Sequence, residues 1–188
     1  MRAVVIGASA GAVEALSVIL PALPAAFALP ILIVVHLPPQ RPSVLADLLA
    51  DKCKIRVIEA EDKEPIVAGA AYLAPPDYHL LVEQDGVLSL SADAPVRFSR
   101  PSIDVLFESA ADAFGEELIG IILTGANSDG ADGLRRIAEL GGAAVVQSPN
   151  SAYAPAMPEA ALAACPAALV LELPAIADYL CTLGRSAA

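Results

Sequence analysis

A chain of 188 residues that is 56% hydrophobic, with a mean hydropathy of +0.63, is the size of one domain and can bury a large core, which excludes a disordered chain. The 22 acidic against 11 basic residues leave a formal charge of −11, which repels a phosphate backbone and an anionic membrane surface and argues against nucleic acid as a partner. Cys53, Cys165 and Cys181 have no close pair and no C-x-x-C spacing, so neither a disulfide framework nor a zinc site is indicated and a reducing cytoplasm fits best.

The first apolar run, Ala3 to Ala8, reads as a buried strand with only Arg2 after the initial methionine, leaving no room for a signal peptide. It runs into Gly7-Ala-Ser9-Ala-Gly11, a G-x-S-x-G match between a strand and a helix. The next stretch, Ala15 to Val35, is uncharged and by length alone could span a bilayer. Pro21, Pro24 and Pro30 break that reading into a buried helix to about Leu20, a proline-punctuated loop and a strand, Pro30 to Val35, that ends on His36. No membrane insertion is expected.

Helical spacing of Val44, Leu45, Leu48 and Leu49 predicts a helix over Pro42 to Lys52, followed by a strand at Ile55 to Ile58. From Ala71 to Leu90 the texture shortens: Ala71 to Ala74 and His79 to Gln84, then Asp85-Gly86 as a tight turn before Val87 to Leu90, predict an antiparallel insert or sheet edge. A helix is predicted from Pro101 to Phe114, opened by proline and Ser102. Strand, helix and strand follow at Leu118 to Thr124, Ala131 to Leu140 and Ala143 to Gln147, with two alanine-rich helical stretches in the tail. The alternation predicts an α/β fold, a doubly wound and mostly parallel sheet with helices on both faces and a small antiparallel hairpin, spanning 1–188 as a single catalytic domain.

Three chemically capable side chains follow strand candidates: Ser9, His36 and Asp129. Carboxyl ends of parallel strands share one edge, where ligands bind, so the three face one crevice. A serine hydroxyl needs a base, and the base needs an acid to orient it. His79 falls in a hairpin strand and reads as structural or surface. Asp129 lies in the glycine-flanked loop Leu123-Thr-Gly-Ala-Asn-Ser-Asp-Gly130, whereas Asp104 and Asp132 sit in first helical turns and read as dipole-complementing charges. The chain order Ser, His, Asp differs from the Ser, Asp, His order of α/β-hydrolases and points to a separate hydrolase lineage. A nucleotide-binding module using Gly7 to Gly11 is the weaker alternative, because the loop lacks the full G-x-G-x-x-G pattern and a P-loop lysine.

Six blocks in order, Val5 to Gly11, Val35-His-Leu-Pro-Pro39, Glu59 to Asp62, Ala71 to Pro75, Arg100 to Phe107 and Leu123 to Gly130, resemble the catalytic domain of the CheB-type chemotaxis protein-glutamate methylesterases. The resemblance implies Ser9 as nucleophile, His36 as general base and then acid, and Asp129 as the orienting carboxylate. It also implies hydrolysis of glutamate γ-methyl esters on cytoplasmic helices of methyl-accepting chemoreceptors, with release of methanol and glutamine deamidation as a related activity, and no metal or organic cofactor. The backbone amides of Ala10 and Ala126 are the oxyanion candidates.

Ala10, Ala12, Ala126 and Ser99 depart from the family's common residues; a backbone donor survives at Ala10, and the methyl of Ala12 is expected to narrow the approach for a receptor helix. A catalytically weak adaptor that binds receptor helices is the alternative that these departures leave open. With no receiver domain ahead of the first strand, two readings stand: a receiver has been removed, or, as Met1-Arg2 before the strand favours, this is a stand-alone esterase governed by a separate receiver protein or by expression.

Overall fold

The computed structural model describes residues 2–36 and 44–185. Continuous apolar runs become strands buried on both faces. Strand β1 is Ala3–Ala8, helix α1 Ala12–Ala22, β2 Ile31–Val35, α2 Leu45–Ala50, β3 Arg56–Glu59 and β4 Ala70–Leu73. A hairpin of β5 (His79–Val82) and β6 (Leu88–Ser91) precedes helix α3, Ile103–Phe114. The second half runs β7 (Leu118–Ile122), α4 (Ala131–Glu139), β8 (Ala143–Gln147), α5 (Ala156–Ala164), β9 (Leu169–Leu171) and α6 (Leu173–Arg185).

The main sheet has the order β3-β4-β2-β1-β7-β8-β9, and every pairing in it is parallel. The chain starts at the centre, builds toward β3, then crosses to β7 on the other side of β1. That reversal makes the carboxyl ends of β1 and β7 the topological switch point, where doubly wound sheets open a crevice. Register brings the loops level: Ala8 pairs with Val35 and Gly7 with Ile122, so the residues that follow β1 and β2 leave the sheet at the same height.

Side chains alternate along β1. Val4, Ile6 and Ala8 join the core under α1, α2 and α6, while Ala3 and Val5 join the core under α3, α4, α5 and the hairpin. The uncharged stretch that could have spanned a bilayer is consumed here: Leu16, Ile19, Leu20 and Ile31 are fully buried against the sheet. No helix among the described residues is long and apolar enough to cross a membrane. Helix α1 runs past the expected end at Leu20 and takes Pro21 into its last turn, closed by the Leu23 N–H donating to the Leu20 carbonyl at 3.2 Å.

Three expectations need correction. Ala71 to Ala74 belongs to no antiparallel insert: β4 lies between β3 and β2 in the parallel sheet, with both edges paired. Among the described residues the antiparallel element is the β5–β6 hairpin, joined by a bridge from Pro65 to Val87. Its turn is longer than an Asp85-Gly86 pair, because the Glu83 N–H donates to the Val87 carbonyl (2.9 Å) and Gly86 N–H to the Glu83 carbonyl (3.0 Å). Strand β9, too short to show a period, was not expected between the two tail helices. The expected start of α2 at Pro42, and Leu37 to Pro39 after His36, lie outside the described residues.

Candidate active site

Ser9 stands in the turn between β1 and α1. Gly11 closes that turn at φ 85°, a left-handed conformation that costs an L side chain roughly 1–2 kcal/mol. A Cβ on Gly11 would also lie 2.7 Å from Cβ of Tyr153. The turn is tied to the neighbouring loop: Ser9 N–H donates to the Thr124 carbonyl at 2.9 Å, and the Thr124 hydroxyl donates to the Ala10 carbonyl at 2.8 Å. Thr124 is buried, with its own N–H on Gln147 Oε1 at 2.9 Å, and its hydroxyl accepts from Ala154 N–H at 2.9 Å. Sequence reading passed over Thr124 and Gln147, although a threonine and a glutamine closing adjacent apolar strands were a signal of buried polar pairing.

His36 extends the β1–β2 ladder by one bond, its N–H donating to the Ala8 carbonyl at 3.2 Å. Its Nε2 lies 2.8 Å from Asp129 Oδ2, with the histidine side chain 13% exposed and the aspartate side chain fully buried. The Asp129 carboxylate has three further donors. Ile103 N–H reaches Oδ2 at 2.7 Å, while the Ser102 hydroxyl (2.9 Å) and Asp104 N–H (3.1 Å) reach Oδ1. Two of these are the opening amides of α3, so Asp129, brought in from the β7–α4 loop, serves as the anion at that helix N-terminus. Burial pushes the Asp129 carboxyl up, but the bonds from His36, Ile103, Asp104 and Ser102 outweigh it and hold the group below the usual carboxylate range. A carboxylate only accepts, so in the neutral ring the His36 proton sits on Nε2 and the lone pair on Nδ1.

Ser102, expected to open α3, makes no side-chain cap for that helix; its hydroxyl is given to Asp129. His79, expected to be structural or surface, is buried. Its Nδ1 accepts from Ser102 N–H at 3.1 Å and its Nε2 donates to the Ala94 carbonyl at 3.2 Å. It therefore positions the segment that holds Asp129.

Asp132 is an exposed first-turn charge, as expected, paired with Arg97 and Arg135. Asp104 is more than that. It is 4% exposed, accepts Gly133 N–H at 2.8 Å and pairs with Arg97 Nε at 3.1 Å, joining α3 to α4. Burial raises its carboxyl to about 6, helped by the nearby charge of Asp129 and opposed by Gly133 N–H and Arg97. First-turn position in sequence carried no sign of this, because the burial comes from α4 packing across it.

Beside His36 opens a cleft of about 230 Å³, lined by His36, Asp77, Phe98, Ser99 and Arg100 among others. Ser99, one of the departures noted in the sequence, therefore lines the same cleft as His36. Ala12 does not: it is 3% exposed and packs into the α1 core, which corrects the expectation that its methyl narrows the approach. Gly125 N–H is spent on the Ala154 carbonyl at 3.0 Å. Among the described residues the amides of Ala10 and Ala126 have no partner.

One contact differs from the arrangement a triad suggests. Among the described residues the Ser9 hydroxyl makes no hydrogen bond, and Nδ1 of His36 instead faces Asn127 Nδ2 at 3.2 Å. Catalytic hydrogen bonds are often long or open before substrate binds.

A doubly wound α/β fold with a histidine–carboxylate pair after one central strand and a serine after its neighbour has, as a class, the make-up of the serine hydrolases. The sequence pattern of the CheB methylesterase family matches residues 4–180. The chain belongs to that family. It is 48% identical over 185 residues to a Leptospira interrogans protein assigned as a protein-glutamate methylesterase/protein-glutamine glutaminase, covering 98% of this chain and 96% of that one. It is 41% identical over 165 residues to the protein-glutamate methylesterase/protein-glutamine glutaminase of group 3 operon from Bradyrhizobium diazoefficiens, covering 86% of this chain but 45% of the relative. The crystal structure of the Thermotoga maritima CheB methylesterase catalytic domain superposes with a TM-score of 0.92 at 32% identity, covering 97% of this chain and 98% of that one.

Proposed function

We propose that this protein is a protein-glutamate methylesterase of the cytoplasm that removes methyl groups from glutamate γ-esters on the helices of methyl-accepting chemoreceptors, and that it deamidates receptor glutamines. The chain acts as a single catalytic domain. The observation that carries this reading is the buried Asp129 carboxylate, which accepts from four donors, one of them His36, with His36 following β2 where Ser9 follows the paired strand β1. Membership in the CheB methylesterase family supplies the substrate class.

In the proposed reaction Ser9 Oγ attacks the γ-carbonyl carbon while its proton passes to His36 Nδ1, and Asp129 stabilises the resulting imidazolium through Nε2. The carbonyl oxygen takes the negative charge and lies against the amides of Ala10 and Ala126. A lost donor of that kind costs roughly 100- to 1000-fold in rate. Collapse breaks the carbon–methoxy bond, and the departing oxygen takes the proton from Nδ1 to leave as methanol. Water, deprotonated by Nδ1, then cleaves the glutamyl–Ser9 ester and frees the glutamate. With glutamine the same steps release ammonia.

The test is release of methanol from methylated receptor membranes and of ammonia from receptors carrying glutamine at the same positions. Turnover of methylated membranes, with none from membranes stripped of methyl groups, is expected. Binding of receptors without release of either product contradicts the enzyme reading and leaves an adaptor.

A further inference from the structure

Asn127 sits two residues before Asp129 on the same loop, and its side chain bridges two groups of the site. Its Oδ1 accepts the backbone N–H of Asp129 at 3.1 Å, and its Nδ2 faces His36 Nδ1 at 3.2 Å. The orientation of the amide follows from the chemistry of the partners. A backbone N–H only donates, so the atom facing it is the oxygen and the atom facing His36 is the NH₂ group, which only donates. Asn127 therefore donates to the Nδ1 lone pair, in agreement with the proton that Asp129 holds on Nε2.

Nδ1 has one in-plane lone pair, and under the proposed function that lone pair receives the Ser9 proton. The Asn127 amide and the Ser9 hydroxyl are competing donors for it. The ring does not need Asn127 to keep its orientation, because Nε2 is anchored on a carboxylate with three other donors. We infer that Asn127 is a positioning residue that closes the base nitrogen of His36 in the free protein and gives it up to the Ser9 hydroxyl when the site engages substrate. This inference rests on Ser9 being the nucleophile. Asn127 is exposed and Ser9 half-buried, so the amide can swing outward without disturbing the core.

Two substitutions separate this role from a structural one. Asn127→Ser keeps a short oxygen that can accept Asp129 N–H in an ST-turn, but cannot reach His36. Asn127→Ala removes both contacts. The first readout is the rate at which a small fluorophosphonate labels Ser9, followed by intact mass. The second is the ¹⁵N resonance of the His36 ring, readable because the chain has 2 histidines.

Displacing a hydrogen bond of ordinary strength is worth roughly two- to tenfold in rate. Asn127→Ser should therefore label two- to tenfold faster than wild type, and its Nδ1 resonance should move toward that of an unbonded imine nitrogen. An unmoved resonance in Asn127→Ser overturns the contact. A moved resonance with an unchanged or slower labelling rate overturns the closure of the base. Unchanged labelling in Asn127→Ser together with slower labelling in Asn127→Ala assigns the residue to loop structure alone and overturns the inference. Failure of wild type and both variants to label at Ser9 overturns the nucleophile assignment itself, and the inference falls with it.

Discussion

Replacing Asp129 with Asn keeps the shape of the side chain and changes one acceptor oxygen into an NH₂ group. Every orientation of that amide sets NH₂ against a backbone donor. Turned toward Oδ2's partners it meets Ile103 N–H at 2.7 Å and His36 Nε2 at 2.8 Å. Turned the other way it meets Asp104 N–H at 3.1 Å and the Ser102 hydroxyl at 2.9 Å, which can rotate to accept. Either way one buried backbone N–H is orphaned, which costs about 1–3 kcal/mol of stability.

The effect on rate depends on which orientation wins. If NH₂ faces His36, the ring proton must move to Nδ1, the nitrogen that has to accept from Ser9, and a reversed tautomer of this kind costs about 10⁴-fold. If the carbonyl faces His36, the tautomer survives but the imidazolium loses its charged partner, worth about 10- to 100-fold from a charge-assisted bond. Methanol release should fall by at least about tenfold, and urea unfolding should show the stability loss at neutral pH. Because the folded carboxyl of Asp129 lies below its ordinary value, its stabilisation is present above the unfolded value and fades as pH falls through the folded one, so the gap between wild type and variant should narrow in acid. A variant that matches wild type in both turnover and stability would refute the reasoning.

Asp104 should behave in the opposite sense. With its carboxyl raised to about 6, it favours folding most below its unfolded value and loses that contribution as pH rises through about 6, by about 3 kcal/mol at most; Asp104→Asn should remove this part of the slope in urea unfolding between pH 4 and 7, and an unchanged slope sinks the prediction. Gly11→Ala should cost roughly 1–2 kcal/mol from the left-handed backbone alone, with more from contact with Tyr153, and should reduce esterase turnover with the serine still present. Circular dichroism melting together with methanol release checks this, and a variant with wild-type stability and rate would show that the turn does not depend on glycine.

The parallel core was legible because strands buried on both faces read as unbroken apolar runs; β1 at Ala3–Ala8 and β8 at Ala143–Gln147 fall where the runs begin and end. Ala70–Leu73 was misplaced because its neighbours in the sheet, β2 and β3, are set by register across long loops, which no local pattern carries. The positions of Ser9 and His36 directly after strands, and of Asp129 in the loop that leaves β7, were visible for the same reason as the strands. Their support was not: the Ser102 hydroxyl and the Ile103 and Asp104 amides meet Asp129 only when α3 packs on the sheet, and the Thr124 hydroxyl reaches the Ala10 carbonyl only when the β1 and β7 loops lie side by side. Asn127 was invisible as a partner of His36, because an asparagine in a glycine-flanked loop reads first as a turn residue.

The central claim is that Ser9 carries the covalent chemistry, and methanol release from methylated receptor membranes by wild type and by Ser9→Ala, at matched folded concentration, tests it most directly. Losing the nucleophile of an assembled triad can cost on the order of 10⁶-fold, so the account predicts release by wild type and none above background from the variant. Release by Ser9→Ala within a few-fold of wild type would contradict it and require a different group to attack the ester.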